Sequence, residues 1–167
     1  MRTRIEAATQ RLLATRGFVK KYFQDLSESD WHWQPAPGIN NLAWQVGHLA
    51  FAEYALCLRR QRGVLPSDEA FMPAAFFERY RRESLPSNDP AENYPPEELL
   101  RILDAVREQV LVELAGWTDE DRSVPTEPPH PMFTTKIGAI EWSNQHELMH
   151  CGQIVLLRRL LGKPASW

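Results

Sequence analysis

Residues 136–162 read KIGAIEWSNQHELMHCGQIVLLRRLLG. No proline interrupts them, and Gly162, Lys163 and Pro164 follow as a helix stop. Ile154, Leu157 and Leu161 continue the stripe begun by His146 and His150. The apolar spacing is helical, not alternating, so a long amphipathic helix is predicted here. Working outward, three more stretches share the period: residues 3–25, 41–62 and 96–116. In the first, Ile5, Ala8, Leu12, Val19 and Phe23 form the apolar stripe. In the second, Trp44, His48, Phe51, Ala52 and Ala55 share a face, and Arg59, Arg60 and Arg62 suit the negative end of its dipole. The third opens on Pro95, Pro96, Glu97 and Glu98, a proline-plus-acid start, and stops near Gly116. Of the 13 prolines, only Pro96, close to a helix start, falls inside a stretch.

Between the second and third stretches lies a proline-rich, charged segment, 63–94, with a short helix expected around Phe71 to Arg82. A second loop, 118–135, holds Pro125, Pro128, Pro129 and Pro131. No period-2 run is present, so no strand is expected. Four amphipathic helices predict an all-α fold, a helical bundle. The long connection between helices two and three leaves room for a crossover.

The chain has 167 residues, a formal net charge of -3 and 43% hydrophobic residues. That length predicts one domain over 1–167, large enough to bury about two-thirds of its unfolded surface. The acid–base balance argues against a nucleic-acid footprint, which wants a strongly basic face. Two cysteines, Cys57 and Cys151, make no disulfide framework. Arg2 and Arg4 are not followed by an apolar run, so no signal peptide is expected. Nothing approaches the ~20 apolar residues of a membrane span. A soluble, cytoplasmic protein is expected, with neither nucleic acid nor membrane as partner.

Five histidines remain: His32, His48, His130, His146 and His150. His146 and His150 stand at i and i+4, so two imidazoles share one helix face and can bind one metal ion. They continue an apolar stripe, where unpartnered polar rings would be costly. The string His146-Glu147-Leu148-Met149-His150 also matches H-E-x-x-H, in which the glutamate is the base of a zinc protease. That reading is set aside. Its third ligand commonly lies downstream, and residues 151–167 hold no His, Asp or Glu. Glu147 is about 100° around the helix from His146 and is expected to be solvated. The third ligand is sought upstream, in His48, with Gly47 beside it to permit a close approach. Three protein ligands would leave a position open, as at catalytic zinc. On spacing alone, His48 as a hydrogen-bonded core histidine stands beside this reading.

The segments Trp33-Gln34-Pro35, Asn41 through Ala50, and His146 through Ile154 followed by Leu157 through Gly162 occur in that order along the chain. In these segments the sequence resembles the DinB/YfiT-like superfamily, small bacterial helical-bundle proteins. The resemblance implies a four-helix bundle in up-down-down-up order. It implies a divalent metal, zinc or nickel, held by residues matching His48, His146 and His150. It also implies a homodimer. Members with assigned activity include thiol-dependent transferases and isomerases and metal-dependent hydrolases, but fold alone does not fix function.

An enzyme acting on a small molecule is therefore expected, with hydrolysis and transfer to a low-molecular-weight thiol as competing reactions. No Ser-His-Asp set is visible. Water or a thiolate held by the ion would carry the chemistry. A metal-containing binding or stress-response protein without turnover is the alternative. A bundle with structural histidines that simply dimerises is the third. Glu53 and Glu141 are candidates to orient the ligating rings, and Gln153 to hydrogen-bond a ligand or a metal-bound water. Cys57 and Cys151 are expected to be packed, Arg158 and Arg159 to be solvated, and His32 and His130 to lie in loops.

Overall fold

A computed structural model describes residues 2–164; Met1 and residues 165–167, the ends of the expected domain, lie outside them. Helix α1 (Arg4–Val19) starts at a capping box, in which Thr3 Oγ1 accepts from Glu6 N–H and the Glu6 carboxylate accepts from Thr3 N–H. It tightens into a 3-10 turn at Lys20–Phe23. A short helix, α2 (Glu28–His32), follows on a second capping box made by Ser27 and Asp30. Helix α3 (Leu42–Tyr54) is capped by Asn41, whose Oδ1 accepts from Trp44 N–H at 2.9 Å. It runs on through a π-helical turn, Ala55–Arg59, and a last α turn, Arg60–Arg62. Gly63, at φ 86°, stops it in a conformation that favours glycine. The connection carries α4 (Ala74–Tyr80) before α5 (Pro96–Leu114). Then come α6 (Asp119–Arg122), strands β1 (Pro125–His130) and β2 (Phe133–Thr135), and α7 (Lys136–Leu160), capped by Thr135.

The protein is mostly helical, with one small two-stranded sheet. The four long helices fall within a few residues of the predicted stretches, because proline, glycine and capping side chains mark their ends. The sheet corrects the expectation of no strands. β1 is proline-rich and pairs antiparallel with β2 only at Pro125–Thr135 and His130–Phe133, with an irregular register between. Proline is tolerated there because a two-stranded ribbon leaves one edge of each strand unpaired. Alternating apolar residues are therefore absent, and so is the signal they would give.

α1 packs on α5 and α7, and α3 packs on the same two helices. Leu12, Leu58, Leu103, Val106, Ile140 and Ile154 meet in the shared core. At its centre lies a closed ring of four charges, one from each long helix. Arg16 pairs with Glu53 at 2.8 Å and Glu147 at 2.6 Å, and Arg107 pairs with the same two carboxylates. Arg16 also donates to the Leu103 carbonyl and Arg107 to that of Leu12. Burial alone would lower the pKa of Arg107; Glu53 and Glu147 raise it above its ordinary value.

Glu147 is 3% exposed, contrary to the solvated position expected for it. Arg158 is likewise buried, at 2% exposure, and donates to the carbonyls of Tyr22 and Gln24. The partners of Glu147 lie on α1 and α5 and those of Arg158 in and just after the 3-10 turn that follows α1, none of which the sequence of α7 can reveal. Cys57 and Cys151 are buried free thiols, as expected. Among the described residues no helix is long and apolar enough to cross a membrane.

Candidate metal centre

His48 on α3 and His146 and His150 on α7 come together, with one nitrogen of each ring lying within 4.8 Å of the others. Ring centroids are 5.3 Å apart for His48–His146, 5.0 Å for His48–His150 and 4.5 Å for His146–His150. The Nε2 atoms of His146 and His150 face each other at 3.2 Å. Two nitrogens bound to one tetrahedral zinc at 2.0–2.1 Å would sit about 3.3 Å apart. An all-imidazole donor set suits zinc or nickel. The cluster fits a divalent metal.

Two rings are braced from behind. His48 Nδ1 donates to the Tyr80 carbonyl at 2.9 Å. His150 Nδ1 donates to Gln45 Oε1. Each bond places the proton on Nδ1 and leaves Nε2 with a bare lone pair, which is how outer contacts commonly orient ligating histidines. Gly47 makes the first brace possible: a Cβ there would lie 2.4 Å from the Tyr80 ring. The close approach expected at Gly47 is thus that of Tyr80. Trp44 stacks on His48, 4.5 Å between centroids and 10° from parallel.

The rings are neutral at pH 7. Burial depresses the pKa of His150 to about 3, helped by His146 and His48, and that of His146 to about 4, helped by His48. Burial also lowers that of His48, against the pull of its bond to Tyr80. Neutral imidazole is the ligating form.

The three rings line a cavity of about 740 Å³. Its walls include Trp44, Phe51, Trp142 and Met149, and His130 reaches it from the end of β1. His130 is stacked on Phe133 at 4.2 Å rather than carried on a free loop. His32, also expected in a loop, is buried at the end of α2.

The three residues proposed to support the site part company. Gln153 Oε1 accepts from Gln45 Nε2 at 2.6 Å, so it reaches His150 through Gln45. Glu53 is held by Arg16 and Arg107 in the charge ring, and Glu141 pairs with Arg4. Sequence reasoning passed over Gln45 and the Tyr80 carbonyl. Gln45 precedes His48 by three on one helix face, a spacing that was available as a signal. Gln45→Leu keeps the volume but removes the acceptor, so zinc affinity falls about 10–100-fold in competition titrations. An unchanged affinity would mean that the brace is not needed.

Glu147 also answers the H-E-x-x-H reading. Its carboxylate is committed to Arg16 and Arg107, away from the cavity lining. It cannot serve as the base of a protease at these histidines. A search of curated proteins finds no match. A family model described as DinB superfamily matches residues 11–154, covering α3, the charge ring and all three histidines. The chain belongs to the DinB superfamily.

Proposed function

We propose that His48, His146 and His150 hold one divalent ion, zinc or nickel, and that the protein is an enzyme acting on a small molecule in the adjoining cavity. The observation that carries this reading is the convergence of three neutral imidazoles on that cavity, two of them braced through Nδ1. A volume of about 740 Å³ suits a small molecule. Once bound, the ion would supply Lewis acidity and lower the pKa of a coordinated water or thiol. The chain's own residues would do the rest. Tyr80 and Gln45 fix the rings, and Trp44, Phe51 and Trp142 exclude water. The reaction is thiol-dependent group transfer or hydrolysis.

The long helices are proposed to run up-down-down-up, in one domain that forms a homodimer. Supporting the order, Arg4–Glu141 and Arg158–Tyr22 align α1 with α7, while Glu53–Arg107 and Arg62–Glu113 align α3 with α5.

Metal analysis after loading and gel filtration should give one ion per chain. A panel of electrophiles with cytosolic thiols, run beside esters and amides, should then show turnover in one arm. No stoichiometric metal would overturn the site. Metal and thiol binding without turnover would make the protein a binding module instead.

A further inference from the structure

The residues that line the histidine cavity have a charge opposite to that of the chain. The whole sequence carries -3. Among the described residues the cavity lining contains Arg59, Arg60 and Arg82 against one carboxylate, Glu127. Several arginines elsewhere are neutralised: Arg62 by Asp68 and Glu113, Arg101 by Glu98, Arg16 and Arg107 within the charge ring.

Arg60 is not. Its Nη1 donates to Thr126 Oγ1 at 3.0 Å and to the Pro128 carbonyl at 2.6 Å, and its guanidinium lies over Phe133. All three partners are neutral and belong to the hairpin or the turn it makes. The group is therefore held in place with its charge uncompensated, and burial lowers its pKa. Arg82 is exposed and forms no ion pair among the described residues. Both arginines act on the cavity interior. The pKa of His130 is lowered by burial and then by the charges of Arg60 and Arg82.

We propose that this cavity selects small molecules with an apolar body and an oxyanion group, carboxylate or phosphate, bound by Arg60 and Arg82. A guanidinium fork held in place, with N–H groups to spare, matches a planar oxyanion bidentately. The walls of Trp44, Phe51, Trp142 and Met149 would take the apolar body. The inference rests on reading the cavity as the substrate site, but not on a metal being bound.

Calorimetric titration of metal-free and zinc-loaded protein with phenylacetate, phenyl phosphate and phenylacetamide tests it. At least one anion should bind about tenfold or more tightly than the neutral amide, already in the metal-free protein. Which anion binds better tells carboxylate from phosphate. The preference should vanish in Arg60→Gln/Arg82→Gln and survive in Arg101→Gln. Because Arg60 also ties down the hairpin, Arg82→Gln alone is the safeguard: it breaks no ion pair and should still cost several-fold. No anion preference, failure of both anions to bind, or a preference that survives the double substitution would overturn the proposal. A preference seen only with zinc and indifferent to the arginines would assign the anion to the metal, and so overturn it too. If the anion binds as expected but zinc does not, the metal reading fails while the anion site stands.

Discussion

Arg107→Ala should destabilise the protein by about 3–5 kcal/mol, because it leaves buried carboxylate charge uncompensated. Arg107 bridges Glu53 and Glu147, and all three side chains are almost fully buried. Arg16 would remain, one cation facing two carboxylates. For a chain of this size that loss lowers Tm by about 10 °C or more. Thermal and urea unfolding give the measurement. The companion test is Glu53→Ala made alone and with Arg107→Ala. The pair should cost less than the sum of the singles by about 1–3 kcal/mol, since the second change removes a charge the first had stranded. Replacing all four members with apolar side chains of similar volume should recover much of the loss. A cost for Arg107→Ala below about 1 kcal/mol, the range of an exposed pair, would show that the ring is solvated in solution.

Removing His146 and His150 together should abolish stoichiometric metal binding and, with it, metal-dependent stabilisation. An ion present at about a thousand times its Kd stabilises the folded state by about 4 kcal/mol. Wild-type protein stripped by a chelator should therefore melt about 10 °C lower than loaded protein. The His146→Ala/His150→Ala variant should show no difference between the two conditions. Retention of one ion per chain by the variant would place the metal elsewhere. The metal-free form has its own logic. The Nδ1 protons of His48 and His150 are committed to Tyr80 and Gln45, leaving their Nε2 atoms bare. A proton on His146 Nε2 can then bridge the 3.2 Å to His150. Metal binding must displace it, so the tautomer of His146 should switch on loading, which nitrogen NMR of the ring can follow.

Much of this protein is written locally. Pro95 and Pro96 open α5, Gly63 and Gly162 follow the ends of the α3 helix and α7, and Asn41 and Thr135 cap their starts. Such signals act within one turn of helix, so they can be read without a fold. The same is true of His146 and His150, brought onto one face by a spacing of four. The hairpin is a different matter. Its first strand holds three prolines and pairs with the second in an irregular register, so it owes its form to Arg60 and to α7 beneath it.

Glu147 marks the boundary most clearly. Within His146-Glu147-Leu148-Met149-His150 it looks like a catalytic base or a solvated surface group, and it is neither. Its two arginines come from α1 and α5, far away in the chain. Arg158 repeats the lesson, since its acceptors are carbonyls of residues 22 and 24. Gln45 does so within the site, as the brace of a histidine on another helix.

The four long helices, the pair of histidines on the last and the candidate third on the second are legible along the chain, because periodicity, caps and i,i+4 spacing are properties of a single helix. Packing of the helices is what makes Glu147 and Glu53 close a ring of buried charge, lets Tyr80 and Gln45 set the histidine tautomers, and brings Arg60 and Arg82 to the cavity of the rings. Those roles depend on which side chains meet across helices, and a buried charge or an imidazole proton takes its state from the partner it meets.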